Sequence, residues 1–316
     1  MPTDVNIPIV FVHKGDSWYL PFALYQAAGR KQEQPVFLLG GGQRPWRGIT
    51  QVSLDEFEAM PSVRRFRATY VHRSTNSIEF ELFCWLRWFL LLAFMKTVDL
   101  KEVVYLDSDV LLLTRADRLV DMYGARNAGC AAFVPSQDHE SMLWCASGHV
   151  SYWTVEALEQ FCLFAETSFS DWQLLSEYER KWRWHCETKT PGGVCDMNGL
   201  YWFWKLNPGR VANFAERNDA GVVDRTMGAS ANFRDQEYLM RRGVKKTVFL
   251  KKQPSFVTSS GRDQIRALAL HFQGWTKDLM PFYYRGPRFS GKLLGDVHAL
   301  WHFCKVRLAW RLARSV

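Results

Sequence analysis

The sequence predicts an α/β protein with a mostly parallel central sheet and flanking helices. Two observations carry that class. The amino-terminal stretch reads strand, helix, strand. Farther on, an apolar strand ends in two aspartates, at the kind of strand end where open α/β sheets meet their ligands.

The elements follow in order. Ile7 to Val12 is a short, β-branched apolar run closed by His-Lys-Gly-Asp, which predicts a buried strand opening into a loop. Tyr19 to Ala28 has helical spacing and stops at Gly29. Val36 to Leu39 is a second strand, ended by Gly40-Gly41-Gly42. Asn76 to Lys96 is the strongest helix: Asn76 and Glu79 have capping-box spacing, and Ile78, Leu82, Phe83, Leu86, Phe89, Leu90 and Ala93 recur at i, i+3 and i+4. Apolar residues cover much of its other side too, so it should be largely buried. Glu102 to Leu106 is the next strand, followed by Asp107-Ser108-Asp109 and the apolar Val110 to Leu113. Val155 to Phe164 and Trp172 to Trp184 have helical patterns. Val248 to Leu250 and Ala267 to Phe272 are short apolar elements. No repeat and no convincing linker interrupts the chain, which predicts one continuous domain over 1–285 and a basic, aromatic appendage over 286–316.

Composition narrows the class of protein. At 316 residues the chain can bury a large core without staples, and 47% hydrophobic with 23% charged residues excludes a disordered or collagenous chain. The net charge of +8 suits an anionic partner. With 22 Phe, 14 Trp and 11 Tyr, aromatic faces that stack on sugars or bases and an aromatic core are both open readings. The longest clean apolar run, Trp88 to Met95, is far below the roughly 18–20 residues that a bilayer requires. The opening MPTDVNIPIV has neither a basic n-region nor a long apolar h-region. Seven Cys spread over the chain suggest reduced thiols, although Cys186 and Cys195 flank a turn and could pair. A cytoplasmic protein is the expectation.

Two segments carry the chemistry. In Val103-Val104-Tyr105-Leu106-Asp107-Ser108-Asp109-Val110, a buried strand delivers two carboxylates that cannot both be core residues without a cation or donors. A hard divalent ion meets that need, with substrate phosphates completing its shell. In His271-Phe272-Gln273-Gly274-Trp275-Thr276-Lys277, an imidazole offers a nitrogen ligand that suits Mn²⁺ better than Mg²⁺. Gly274 would let backbone approach a phosphate, and Lys277 would clamp it as a point charge. Arg87, inside the buried helix, requires an anionic partner. A structural carboxylate and a phosphate or sugar nucleotide both answer.

Together the strand ending in Tyr-Leu-Asp-Ser-Asp and the later His-x-x-Gly-x-x-Lys resemble the family 8 glycosyltransferases, over roughly residues 7 to 280. The resemblance implies a GT-A (Rossmann-like) nucleotide-diphospho-sugar transferase fold and a retaining, metal-dependent enzyme using a nucleotide sugar, with UDP as the nucleotide. It places Val12 and His13 at the nucleobase and ribose. Asp107, Asp109 and His271 become ligands of Mn²⁺ (or Mg²⁺), with Ser108 between the two acids in the donor site. Gly274 and Lys277 hold the diphosphate, and Arg87 faces the donor. Lys277, and Arg87 with it, would stabilise charge on the leaving phosphate. The sugar half matches loosely. The family's Asn-Ala-Gly has its nearest counterpart in Ala146-Ser147-Gly148, and its Asp-Gln-Asp in Asp196-Met197-Asn198. Asp196 is carried over as a residue near the donor sugar or its anomeric carbon. Lys277 is followed by Asp278-Leu279 where the family has Pro-Trp.

Other readings use the same residues. A haloacid-dehalogenase-type phosphatase also begins strand-Asp-x-Asp, but usually near its amino terminus. A nucleotidylyltransferase would place its glycine loop after the first strand, whereas Gly40-Gly41-Gly42 follows the second. A non-catalytic sugar-binding protein on the same scaffold would use the many Trp, but both metal segments are intact. No nucleic-acid-binding motif is present. The expected partners are a nucleotide-sugar donor and a glycan or lipid-linked acceptor. Phe289 to Val316 mixes Leu, Val, Trp and Phe with Lys292, Lys305, Arg307, Arg311 and Arg314. As an amphipathic basic helix it would lie on the anionic inner face of the membrane, or pack on the catalytic domain with its charges outward.

Overall fold

The computed structural model describes residues 6–289 apart from 30–33, 43–44, 127–130, 138–141 and 251–252, and beyond that only Gly295 and Val297. The chain runs β1 (Ile9–Lys14), α1 (Leu20–Ala28), β2 (Val36–Gly41), β3 (Thr50–Val52), α2 (Asp55–Glu58), α3 (Pro61–Thr69), α4 (Ile78–Thr97), β4 (Glu102–Leu106) and β5 (Val110–Leu112). There follow α5 (Ala116–Met122), β6 (Ala131–Pro135), β7 (Ala146–Thr154), α6 (Val155–Thr167), α7 (Trp172–Thr188), α8 (Asp196–Leu206) and β8 (Val211–Asn213). The last part holds β9 (Val222–Val223), β10 (Met240–Arg241), β11 (Val244–Lys245), β12 (Thr247–Leu250), β13 (Gln253–Val257) and β14 (Gln264–His271). A 3₁₀ turn, Gly274–Leu279, leads into α9 (Met280–Tyr283).

Seven strands form the central sheet in the order β3-β2-β1-β4-β7-β6-β8. All run one way except β7, which is antiparallel to both of its neighbours. The expected mostly parallel sheet is therefore present. Its inner strands β1, β4, β7 and β6 are buried on both faces, as continuous apolar runs require, whereas the edge strand β3 is largely exposed. In β1, Ile9 and Phe11 face α1 residues Leu20 and Leu24, while Val10 and Val12 lie in a second core with Trp85 and Phe89 of α4. In β4, Val104 and Leu106 divide from Val103 and Tyr105 in the same way.

A smaller sheet, β12-β13-β14-β5 with β9 beside β14, adjoins it. The strand that follows the aspartate pair leaves the main sheet for this one. Val110, Leu111 and Leu112 pair with His271, Leu270 and Ala269. That crossover brings the two motif segments together.

Several boundaries differ from expectation. The long helix begins at Ile78 with Ser77 as its cap, whose hydroxyl accepts from the Phe80 amide at 3.3 Å. Asn76 instead donates its amide to Glu81 at 2.8 Å. Ile78 and Phe80 are exposed, because the first turn projects past the core edge, whereas Glu81 is buried. β2 continues through Gly40 and Gly41. A Cβ on Gly40 would stand 2.3 Å from the His13 carbonyl, and φ is +87°, so glycine is required for β2 to lie against the end of β1. Cys186 and Cys195 are both free, as are Cys84, Cys145 and Cys162. Among the described residues no helix is long and apolar enough to cross a membrane.

Most of the carboxy-terminal appendage lies outside the described residues. Its described beginning packs on α1: Phe289 meets Phe22 and Tyr25 at ring-centroid distances of 5.0 and 5.2 Å.

Candidate functional site

β4 delivers Asp107 at the edge of the main sheet. The Asp107 amide donates to the His149 carbonyl at 2.8 Å, which continues the β4–β7 ladder one step past Leu106. The Val110 amide then donates to the Asp107 carbonyl at 3.1 Å, closing a tight turn over Ser108 and Asp109. The Phe272 amide donates to the Asp109 carbonyl at 2.9 Å. These bonds and the Val110–His271 register set the two carboxylates and the imidazole side by side. One ligand atom from each of Asp107, Asp109 and His271 lies within 4.8 Å of the others.

The donor set fits a divalent cation. Two carboxylates and an imidazole supply hard oxygen with one nitrogen, the mixture that suits Mn²⁺ and admits Mg²⁺. His271 Nδ1 lies 2.6 Å from the Arg225 carbonyl oxygen. A carbonyl only accepts, so Nδ1 carries the proton and Nε2 is directed to Asp109, 3.5 Å away. Lys277 Nζ is 3.1 Å from the other Asp109 oxygen. Burial by itself would raise the Asp109 carboxyl, but the facing His271 and Lys277 outweigh it and hold it well below the usual carboxylate range. The same pairing lifts His271 and Lys277 above their ordinary values against burial.

Arg87 stands on the other side of Asp107. It donates to Asp107 Oδ1 at 2.8 Å through Nη1 and to Asp196 Oδ2 at 2.5 Å through Nη2. The Trp88 indole N–H donates to that same Asp196 oxygen at 2.9 Å, and the Tyr105 hydroxyl donates to Asp107 Oδ1 at 2.6 Å. Burial would lower the guanidinium, yet the two carboxylates prevail and keep it charged. The anionic partner that Arg87 requires is thus supplied from within the chain, by a carboxylate at each end. Asp196 opens α8 and is itself buried.

The remaining sequence-predicted residues cluster unevenly. Gly274, at φ +60° with open space around its Cβ direction, starts the 3₁₀ turn that brings Lys277 back to Asp109. His13, the penultimate residue of β1, lies near Asp107, Asp109 and Lys277; burial lowers its pKa below the ordinary value, and its buried Nε2 has no hydrogen-bond partner among the described residues. An orphaned polar atom at this edge is the kind of group a ligand would satisfy. The Val12 side chain belongs to the core, leaving only its main chain for the edge. Ser108 is half-buried at the tip of the turn.

Sequence reasoning did not single out Tyr19, Tyr105, Arg225 or Trp88. The Tyr19 ring lies under Lys277 Nζ at 5.2 Å. Tyr105 was legible, being two residues before Asp107 and hence on the same side of the strand. Trp88 and Arg225 had no local signal, because their roles depend on partners distant in sequence.

The chain matches no family model, and no curated protein is similar to it in sequence. Among solved structures, it is similar to mouse xyloside xylosyltransferase 1 in its apo form at 10% identity, with a TM-score of 0.42, over 66% of this chain and 85% of that one. It is similar to the apo bifunctional glycosyltransferase WbbM at 10% identity and a TM-score of 0.49, over 94% of this chain but only about half (52%) of that one. The galactosyltransferase LgtC, in an active-site mutant, matches at 14% identity and a TM-score of 0.44, over 90% of this chain and all (100%) of the other. Likenesses this distant leave the site's chemistry to be read from its own geometry.

Proposed function

We propose that the protein is a metal-dependent glycosyltransferase that moves a sugar from a nucleoside diphosphate, with UDP as the nucleotide, to a hydroxyl of a glycan or lipid-linked acceptor. One observation carries this reading: two carboxylates and a correctly oriented imidazole converge at a sheet edge, with a lysine aimed at the same carboxylate. Asp107, Asp109 and His271 would hold the divalent ion, Mn²⁺ or Mg²⁺, which when bound neutralises charge on the diphosphate. Lys277 exchanges its contact with Asp109 for a leaving phosphate oxygen. Its charge then acts where negative charge grows as the sugar–phosphate bond breaks, and fixed cations in a site of this kind are among the largest catalytic terms. Arg87 fixes Asp107 from behind and Asp196 fixes Arg87. With Asp196 beside the donor sugar, that carboxylate faces the positive charge that develops on the ring. Retention of anomeric configuration and the choice of UDP rest on the motif resemblance. In this reading the catalytic domain spans 1–285 and the basic tail, 286–316, attaches it to an anionic membrane face. Flotation with anionic liposomes checks the attachment, and equal binding by a chain truncated at Gly286 would count against it.

Thermal unfolding with UDP, GDP, ADP and CMP, each with and without Mn²⁺, tests the site directly. A ligand at about 100 times its Kd stabilises by about 2.7 kcal/mol, enough to raise Tm by several degrees. The expected result is a rise with one nucleoside diphosphate only in the presence of Mn²⁺, abolished by Asp109→Ala. No shift with any nucleotide would remove the reading.

A further inference from the structure

We propose that His149 is a positioning residue for His271, acting through ring stacking and through the Asp224-Arg225 backbone. The inference rests on the metal-binding reading above.

His149 is fully buried in β7, facing the small sheet. Its ring lies parallel to that of His271, with centroids 4.0 Å apart and an interplanar angle of 11°. Both of its nitrogens are committed. Nε2 is 2.8 Å from the Asp224 carbonyl, which can only accept, so Nε2 carries the proton. Nδ1 is therefore the acceptor for the Ser147 hydroxyl, also at 2.8 Å.

The partner carbonyls of the two imidazoles are consecutive. His149 donates to Asp224 O, and His271 donates to Arg225 O. The same dipeptide also grips the His271 main chain, whose amide donates to Asp224 Oδ2 at 3.2 Å. It is anchored in turn. Lys245 Nζ donates to Asp224 Oδ1 at 2.6 Å, with neither side chain exposed, and the Arg225 amide donates to Asn232 Oδ1 at 2.8 Å. His271 is therefore restrained in two ways that share the Asp224-Arg225 backbone. The Arg225 carbonyl fixes its rotation and tautomer, and the flat face of His149 limits its tilt. A phenyl ring at 149 would supply the face but leave the Asp224 carbonyl without its donor. Only imidazole does both with one proton in place. Groups that orient a metal-binding imidazole typically change metal affinity by about 10–100-fold when removed.

The test is Mn²⁺ affinity of the full chain, followed by electron paramagnetic resonance, for wild type, His149→Phe, His149→Gln and Ser147→Ala. Phe keeps the stacked ring and loses both hydrogen bonds. Gln keeps a donor for Asp224 and loses the ring. Ser147→Ala removes only the hydroxyl behind the ring, and it keeps the question answerable should the position-149 variants fail to fold. Leu158→Ala, on the buried face of α6, controls for general destabilisation. We expect Kd for Mn²⁺ to rise about 10–100-fold in the His149 variants and by less in Ser147→Ala. In Leu158→Ala, Tm should fall while Kd stays at the wild-type value. Wild-type affinity in all folded His149 and Ser147 variants would overturn the positioning role. Failure of wild type itself to bind Mn²⁺ would overturn the metal-binding reading first, and the inference with it.

Discussion

Asp107 stands between two polar clusters that settle the same electrostatic problem differently. On one side, Asp109 is balanced by His271 and by Lys277, whose side chain keeps 27% of its surface exposed. On the other, Asp196 keeps only 3% exposed and has three donor atoms on a single oxygen, two from Arg87 and one from Trp88. An accessible cation can leave one carboxylate for another anion at modest cost. A buried guanidinium locked between two acids cannot. The Asp109 side is built to exchange partners and the Arg87 side to keep them, which assigns ligand exchange to one and rigidity to the other.

The sharpest way to break this comparison is to remove Arg87. In Arg87→Met, the buried Asp196 loses both guanidinium donors and keeps, among the described residues, the Trp88 indole. Loss of one partner from such a pair costs about 3–5 kcal/mol. The urea midpoint should fall accordingly, whatever ligand is present. A loss under about 1 kcal/mol, typical of exposed pairs, would show that the Arg87 side is not the fixed one.

Lys277→Ala probes the other side with the opposite pattern. Asp109 retains His271 and Lys277 is part-exposed, so the unfolding free energy should change by less than about 1 kcal/mol. Sugar transfer, once a donor is known, should fall about 10²–10³-fold, the usual effect of removing one fixed group that stabilises charge in the transition state. A large stability loss with turnover preserved would reverse the two assignments.

The contrast also explains what was legible in the sequence. The strand before Asp107 and the apolar run after Asp109 were legible from the residues, but the place of Val110–Leu112 in a second sheet was not, because its partner β14 is distant in sequence. β1, α1 and the long α4 followed from periodicity. α8 did not. Its cap is Cys195, and Gly199 sits in its second turn because a Cβ there would stand 2.5 Å from the Trp85 ring. Tertiary packing overrides helix propensity at that point. The start of α4 was misplaced by one capping residue, since Ser77 and Asn76 are both competent caps and only the demand of Glu81 for the Asn76 amide decides between them. The His149–His271 stack had no local signature, because the two rings come from different sheets, with β14 held by its pairing to β5 after the aspartate turn.

Glu81 gives the smallest effect and extends the comparison to an acid whose hydrogen-bond donors, among the described residues, are a hydroxyl and an amide. It is buried one and a half turns before Arg87 on α4, with Oε1 accepting from the Ser74 hydroxyl and the Asn76 amide, each at 2.8 Å. Its Oε2 has no partner among the described residues. Burial raises this carboxyl above its ordinary value, the two hydrogen bonds offset it only in part, and nearby Asp196 adds to the rise. The folded state therefore binds a proton more tightly than the unfolded chain. Glu81 contributes its full stability below the unfolded pKa, and that contribution is lost as pH rises through the folded value. Glu81→Gln keeps an acceptor for Ser74 and Asn76 and never charges. It should stabilise the protein near neutral pH, where burial opposes the charged carboxyl, and change stability by almost nothing near pH 4. Denaturant unfolding at the two pH values separates this from a packing effect, which would appear equally at both. Equal changes would mean a packing effect, and a loss confined to neutral pH would mean that Glu81 is ionised and held by its donors. The fixed side of the site would then reach about one and a half turns farther along the helix than the geometry now indicates.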